Sequence, residues 1–368
     1  MNIIYVQSQP LYRYFADNGE FLEFAERDKW MPALTVQRGY PSELWVVGKV
    51  REESQWQYDD LPPLPVKVFE ADQRNGAPDT HTSAYMNKSA AESGADLFVI
   101  NGLEGGAGID LAKKVLIPRK IPFAVILENE CYHSIVKHTC AVLYQAEWQR
   151  RQLTRRSLRF WRKVVDPDQL IHLPKSVDTR HFTHDADAEK EFAVIASGRL
   201  DTDTEGDYDA LFELSKRLQV AFIGGGPLFE RYRRKFPEIT WYGKTAYEDL
   251  PGILNKGELF FHSCYRNSHP QSIAEAAACG VPPVAFADVV DEDILPDHIG
   301  LRVSNDNFLT EIDDLLDNPE RMQKLSQAAR RHATQRWHHE SSVSAIREMI
   351  KIVRSSVPEH MSHKSHLR

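Results

Sequence analysis

The sequence predicts an α/β protein made of two doubly wound, parallel-sheet domains in series, and three observations carry that reading. The first is length: 368 residues exceed one ordinary core and suit two domains of roughly 150 residues each. The second is patterning, because short, continuously apolar runs alternate with amphipathic ones, as buried parallel strands flanked by helices do. The third is that this series occurs twice, interrupted by a polar stretch with no strand of its own. With 42% hydrophobic and 27% charged residues, the chain has the composition of a folded globular protein.

In the first half the strand candidates are 3–7, 44–48, 66–70, 96–100, 123–127, 141–145 and 170–174, with helical patterns between most of them. In the second half they are 192–198, 220–226, 239–243, 258–263 and 282–286. The stretch HFTHDADAEKE, 181–191, reads as the linker, which places the domains at 1–183 and 184–336. After Phe286 the pattern turns helical. Asn318 and Pro319 form a start signal ahead of Met322, Leu325, Ala328 and Ala329 at helical spacing. Val343, Ile346, Met349, Ile350 and Val353 then share one side of a further helix. The segment 337–368 is expected to be this C-terminal helix and a frayed tail.

A net charge of -8 argues against a general nucleic-acid binder. Cys131, Cys140, Cys264 and Cys279 include no CxxC pair and read as reduced, partly buried thiols of a cytosolic protein. The start MNIIYVQSQPLYRYF reads as a first strand, not a leader, and no run approaches the roughly 18 apolar residues of a membrane span. A cytoplasmic location is expected. The run RRQLTRRSLRFWRK, 150–163, holds seven basic residues and no acid, with Leu153, Ser157, Phe160, Trp161 and Val164 on an apolar side. Such a helix suits anionic headgroups at the inner face of the membrane, or an anionic acceptor. A packed helix with a solvated basic face explains it as well.

Open parallel sheets bind ligands beyond the carboxyl ends of their strands, so chemistry is sought just after strands. RNSHPQSIAEAAACGVPPVAF, 266–286, follows the 258–263 candidate. Pro270 suits a first helical turn, where its missing N–H would have no partner anyway, and Ser272 adds a hydroxyl among free amides. Such a helix start receives anions, above all phosphate. Glu275 lies one turn deeper on the same side, where a carboxylate can accept from the vicinal hydroxyls of a ribose. A solvated surface acid is the plain alternative. Alanines at 274 and 276–278 allow close packing on the sheet, and Gly280 supplies the terminating left-handed residue.

This stretch resembles the signature of the retaining glycosyltransferase family four, matching at Pro270, Ser272, Glu275, Ala278, Cys279, Gly280 and Pro282. Other landmarks follow in that family's order. PKSVDTRHF (174–182) is similar to its interdomain element, ASGRLDTDTEG (196–206) to its GRL…KG loop, and FIGGGPLFERY (222–232) to its GxGP turn. The resemblance implies a GT-B fold, with two Rossmann-like domains facing a central cleft and a C-terminal helix crossing back to the first. It also implies a nucleoside-diphosphate sugar as donor, bound without a cofactor or metal. By the same resemblance Arg199 binds the diphosphate and Glu275 the ribose. Gln271 and Ser272 face a phosphate, Gly225 belongs to the turn beside it, and Lys244 and Thr245 lie in the region that contacts the base. Consistent with this, no carboxylate or histidine cluster at metal-ligand spacing is evident, and His360, His363 and His366 of the tail read as adventitious binders.

Three departures stand out. Asn267 replaces the family's first acid, whose side chain contacts the transferred sugar; an amide still donates and accepts hydrogen bonds there. Glu205-Gly206 replaces Lys-Gly, and Lys244 is the candidate for the missing cation. The first strand lacks the following Gly-Gly, and where the family places a His near the reaction centre this chain offers Glu128, Asn129, Glu130 and His133. Glu128 is the candidate acceptor-side polar residue or base, an ordinary loop residue being the alternative. The glycine loop NGLEGGAG, 101–108, is a second acceptor-side candidate, although turn formation explains it nearly as well.

A nicotinamide-dependent dehydrogenase fits poorly, because Phe229 stands where the third Gly of GxGxxG belongs. A sugar-nucleotide epimerase or phosphorylase of the same fold remains open, as does a catalytically weakened sugar-nucleotide-binding protein, which Asn267 and Glu205 would suit. The expected function is transfer of a hexose-type unit to a saccharide or lipid-linked acceptor in surface-glycan biosynthesis.

Overall fold

The computed structural model describes residues 1–24, 26–73, 75–128, 132–154, 165–201, 208–263 and 271–356. It divides into two units: Met1–Leu173 with the chain from Ser342 onward, and Pro174–Ser341. The first unit holds β1 (Ile3–Gln7), β2 (Ser42–Gly48), β3 (Glu52–Trp56), β4 (Leu64–Glu70), β5 (Leu97–Asn101), β6 (Phe123–Ile126), β7 (Ala141–Tyr144) and β8 (Leu170–His172). They form one sheet in the order β3-β4-β2-β1-β5-β6-β7-β8. All pairings are parallel except that of β3 with β4.

The second unit holds β9 (Phe192–Ser197), β10 (Val220–Ile223), β11 (Thr240–Gly243), β12 (Gly257–His262), β13 (Pro283–Phe286) and β14 (Leu301–Val303). Their order is β11-β10-β9-β12-β13-β14, wholly parallel. Relative to the chain this is 3-2-1-4-5-6, the dinucleotide-fold arrangement, whose ligand crevice opens where the order reverses. That switch point lies between β9 and β12. In the first unit the equivalent point lies between β1 and β5.

Central strands in both sheets are apolar on both faces, since helices cover each side. Ile3, Ile4 and Val6, or Leu259, Phe260 and Phe261, are almost fully buried along consecutive positions. Two strands escape this logic and the sequence reading. β3 exposes Glu52 and Glu53 and buries Trp56, as a charged edge strand does. β14 is a three-residue edge, so the region after Phe286 is not wholly helical as expected.

The expected helix start at Asn318 is present, its Oδ1 accepting from the Arg321 N–H at 3.0 Å ahead of the Pro319–His332 helix. The Ser342–Ser356 helix packs in the first unit against the Glu26–Gln37 helix, β7 and β8. Val343, Ile346, Met349, Ile350 and Val353 are all buried there.

The division between units falls at Leu173/Pro174 and Ser341/Ser342, not at 183/184 and 336/337. The segment 174–182 folds with the second unit. Phe182 is fully buried, and His181 stacks on Tyr247 at 4.7 Å while its Nε2 meets the Tyr247 carbonyl at 2.9 Å. The polar 181–191 stretch reads as a linker from its composition because its partners are distant in sequence. Asn255 accepts from the Asp185 N–H at 2.9 Å and donates to the Thr183 and Pro251 carbonyls at 2.9 and 2.8 Å. Lys190 Nζ donates to the carbonyls of Asn255 and Gly257 at 2.8 and 3.0 Å, and burial lowers its pKa.

Candidate functional site

In the second unit the loop after β9 is locked against the loop after β10. Leu200 N–H donates to the Gly225 carbonyl at 3.0 Å, and Leu228 N–H donates to the Leu200 carbonyl at 2.9 Å. Gly224 has φ +135°, and a Cβ there would stand 1.9 Å from the Gly198 carbonyl oxygen. Only glycine permits this approach. Tyr208 Oη donates to the Arg199 carbonyl at 3.1 Å, so the backbone carrying Arg199 is fixed from two sides. The Arg199 side chain is 44% exposed and its guanidinium lies 3.0 Å from the Asp201 carboxylate.

Beside this loop, Lys244 follows β11 directly. Its N and Cβ lie 3.6 Å from where a Gly225 Cβ would stand, and its side chain is exposed. Thr245 Oγ1 donates to the Gly243 carbonyl at 3.3 Å. Arg199, Gly225, Lys244 and Thr245 are thus gathered at the carboxyl ends of three neighbouring strands.

On the other side of the switch point, β12 leads to the Gln271–Ala278 helix. Ser263, directly after β12, is buried, and its hydroxyl has no hydrogen-bond partner among the described residues. Gln271 opens the helix and its Nε2 donates to the Ser176 carbonyl at 2.6 Å. Ser272 and Glu275 are half-buried, one turn apart, whereas Ile273, Ala274 and Ala276–Ala278 are buried against the unit. The helix ends as its glycine demands. Gly280 has φ +69°, its N–H donates to the Ala277 carbonyl at 3.0 Å, and Val281 N–H donates to the Ala276 carbonyl at 2.9 Å. Burial pushes the Cys279 thiol up, so this cysteine is a packing group and not a nucleophile. Asn267, Pro270, Glu205 and Gly206 lie outside the described residues, as do 155–163 of the basic run and the tail histidines.

The carboxyl edge of the first unit's sheet gathers the remaining candidates. Glu128, two residues beyond β6, is half-buried, and its carbonyl accepts from Gln149 Nε2 at 2.5 Å. Around Gly102, after β5, the side chains of Glu104 and Glu128 both approach. A Cβ there would stand 2.7 Å from Glu104 Oε2 and 3.7 Å from Glu128 Cγ. Sequence reading singled out Glu128 and missed Glu104, which only the return of the loop brings alongside. The glycines of 101–108 have a steric role: a Cβ on Gly105 would meet the Ser8 carbonyl oxygen at 2.1 Å, and one on Gly106 the Thr80 carbonyl oxygen at 2.7 Å. The loop after β1 is anchored by a Tyr12–His81 hydrogen bond and by Arg13 against Asp79 at 3.4 Å. Burial, then the Lys113 charge, lowers the His133 pKa.

Sequence reading missed three other features. Ser263 closes the 258–263 strand candidate, where its residue type gives no site signal. Arg330 gives no motif signal. Asp178, His338 and His339 assemble into a group whose ligand atoms lie within 4.8 Å of one another; their separation along the chain hides it. Among the described residues no helix is long and apolar enough to cross a membrane.

Comparison with known proteins bears on this arrangement. Residues 185–332, inside the second unit, match the family described as Glycosyl transferases group 1. A GDP-mannose-dependent alpha-(1-6)-phosphatidylinositol monomannoside mannosyltransferase of Mycolicibacterium smegmatis is 27% identical over 213 residues. The aligned stretch spans 49% of this chain and 56% of that relative. Among solved structures, a sucrose-phosphate synthase from Thermosynechococcus elongatus matches 97% of this chain and 100% of its own, with TM-score 0.73 at 14% identity. Anabaena HepE in complex with UDP and glucose matches 97% and 100%, with TM-score 0.65 at 14% identity. At that identity the likeness is one of fold, and the fold is GT-B.

Proposed function

Residues 185–332 match the group 1 glycosyltransferases, and on that premise we propose that this chain is a retaining, metal-independent transferase of that family. It moves a hexose-type unit from a nucleoside-diphosphate sugar to a saccharide or lipid-linked acceptor, in the building of a surface glycan. The observation that carries the reading is the pairing at the second unit's switch point. A locked loop presents Arg199 after β9, and the start of the Gln271–Ala278 helix follows the adjacent strand β12.

The chemistry suits that pairing. Breaking the anomeric C–O bond moves negative charge onto a nucleoside diphosphate, and a fixed guanidinium and a helix start stabilise the charge as it develops. Arg199 is assigned to the diphosphate and Lys244 supplies a second cation. The amides at Gln271 and Ser272 face a phosphate, and Glu275 accepts from the ribose hydroxyls. In the first unit Glu128, with Glu104 beside it, is assigned to the acceptor side.

A thermal-shift screen against UDP-, GDP- and ADP-sugars tests the donor assignment, since a ligand bound only by the folded chain raises Tm. One nucleotide class is expected to shift Tm, and transfer from it to proceed without added magnesium or manganese. The anomeric proton coupling of the product reads retention. No shift with any of these donors would count decisively against the reading.

A further inference from the structure

We propose that Asp178, His338 and His339 bind one divalent transition-metal ion, zinc being the best match, which ties the first segment of the second unit to its last. Each residue offers one ligand atom, all within 4.8 Å of one another. His339 Nδ1 stands 3.8 Å from Asp178 Oδ1, beyond hydrogen-bond reach, and the rings of His338 and His339 lie 4.1 Å apart.

Two imidazoles and a carboxylate are a donor set that zinc favours, with bonds of about 2.0–2.2 Å and so ligand atoms roughly 3.4 Å apart in a tetrahedron. Closing on an ion therefore asks each side chain to move by under about an ångström. Loading also exchanges the long contact of His338 Nδ1 with the Glu340 N–H, 3.2 Å, for a metal bond, or for an Nδ1–H tautomer that leaves Nε2 to the ion.

Burial and backbone support the site. Asp178 and His339 are each 2% exposed, and a carboxylate so far from water calls for positive charge. Arg180 supplies part of it, its backbone N–H and Nε reaching Oδ1 at 2.9 and 3.4 Å, but its side chain is 47% exposed. The two carrying segments are already joined. Val177 and His338 form a parallel bridge, Val177 N–H donates to the Trp337 carbonyl at 2.8 Å, and His339 N–H donates to the Val177 carbonyl at 3.1 Å. Ser176, whose carbonyl holds Gln271, lies two residues before Asp178. An ion here steadies the segment against which that helix start is held. Its role is structural, because none of the three ligands is among the donor contacts assigned above.

The test uses the full chain, stripped with EDTA, dialysed metal-free and then titrated with zinc or cobalt(II). About one zinc per chain should survive gel filtration and raise Tm, and cobalt should give the visible bands of a tetrahedral nitrogen–oxygen site. Asp178→Asn and His338→Gln should each weaken retention at least about tenfold and abolish the Tm rise. The variant with His360, His363 and His366 all changed to alanine should keep both. Circular dichroism of the stripped variants checks folding, and His338→Gln, at a half-buried position, carries the test should Asp178→Asn not fold. Retention unchanged in the folded variants, retention lost with the tail histidines, or no zinc-dependent Tm rise would overturn the proposal.

Discussion

Nη1 of Arg330 donates a hydrogen bond to the carbonyl oxygen of Ala278 at 2.6 Å. The same guanidinium reaches the Phe182 carbonyl at 2.5 Å and the Thr179 carbonyl at 2.9 Å. One side chain of the Pro319–His332 helix thereby caps the end of the helix that starts at Gln271 and pins the 179–182 segment. Hydrogen bonds to charged groups are worth about 1.5–3 kcal/mol each and add incompletely within one network. Arg330→Ala is accordingly expected to cost about 3–5 kcal/mol in urea denaturation. Arg330→Lys should recover less than half, because an ammonium cannot span the fork. A loss below about 1 kcal/mol for the alanine variant would refute the clamp.

Ser263 gives a prediction with two opposite signs. The Ser263 hydroxyl is buried and has no partner among the described residues; a buried hydroxyl left unpaired costs stability, so Ser263→Ala should stabilise the ligand-free chain by about 1 kcal/mol. If that hydroxyl is held for the donor, the same change should weaken donor binding about tenfold, the loss of one good hydrogen bond. Denaturation and calorimetry read the two effects separately. Stabilisation with unchanged donor affinity would leave Ser263 no role at the site.

Arg199→Ala should lower kcat/KM for transfer by about two to three orders of magnitude, as removal of a positioned charge donor does, with Arg199→Lys in between. Its ion pair with Asp201 is partly exposed and worth at most about 1 kcal/mol. Folding stability should therefore scarcely change. A variant equally depressed in stability and turnover would indicate a structural residue instead.

His332 predicts part of the acid limb of stability. Burial, then the neighbouring His298 and Arg336 charges, lowers its pKa to about 4 from an ordinary 6.5. Below 6.5 the unfolded chain takes up a proton that the folded chain resists until about pH 4. This contribution is therefore fully present above the unfolded pKa and is lost as pH falls toward the folded one. His332→Gln should flatten the fall of Tm between pH 7 and 4. An unchanged slope would contradict the assignment.

Much of the fold was legible because β1, β9 and β12 are apolar at consecutive positions, a pattern that parallel strands buried on both faces require. β3 was not, since Glu52 and Glu53 serve an edge. The linker was misplaced because composition registers polarity but not its satisfaction: Thr183, His184 and Asp185 are bonded to Asn255 and to the Cys279 carbonyl. At the candidate site, the placing of Gln271 and Glu275 along one helix was legible from the 270–280 pattern, whereas Arg199 was singled out by the family resemblance alone. Glu104, Arg330 and the Asp178–His338–His339 group were not, because each depends on segments that only the folded chain brings together.

The Ser342–Ser356 helix has a consequence for biosynthesis. Val343, Ala345, Ile346, Met349, Ile350 and Val353 of this helix are buried in a core whose other buried members all precede Pro174, the larger side chains each contributing about 2 kcal/mol on burial. The second unit, contiguous from Pro174 to Ser341, holds all its own parts earlier. During translation the order of completion is therefore inverted. The unit begun first waits, with an apolar stripe of its surface uncovered, until the closing helix has left the ribosome, and that interval is when the nascent chain most needs a chaperone.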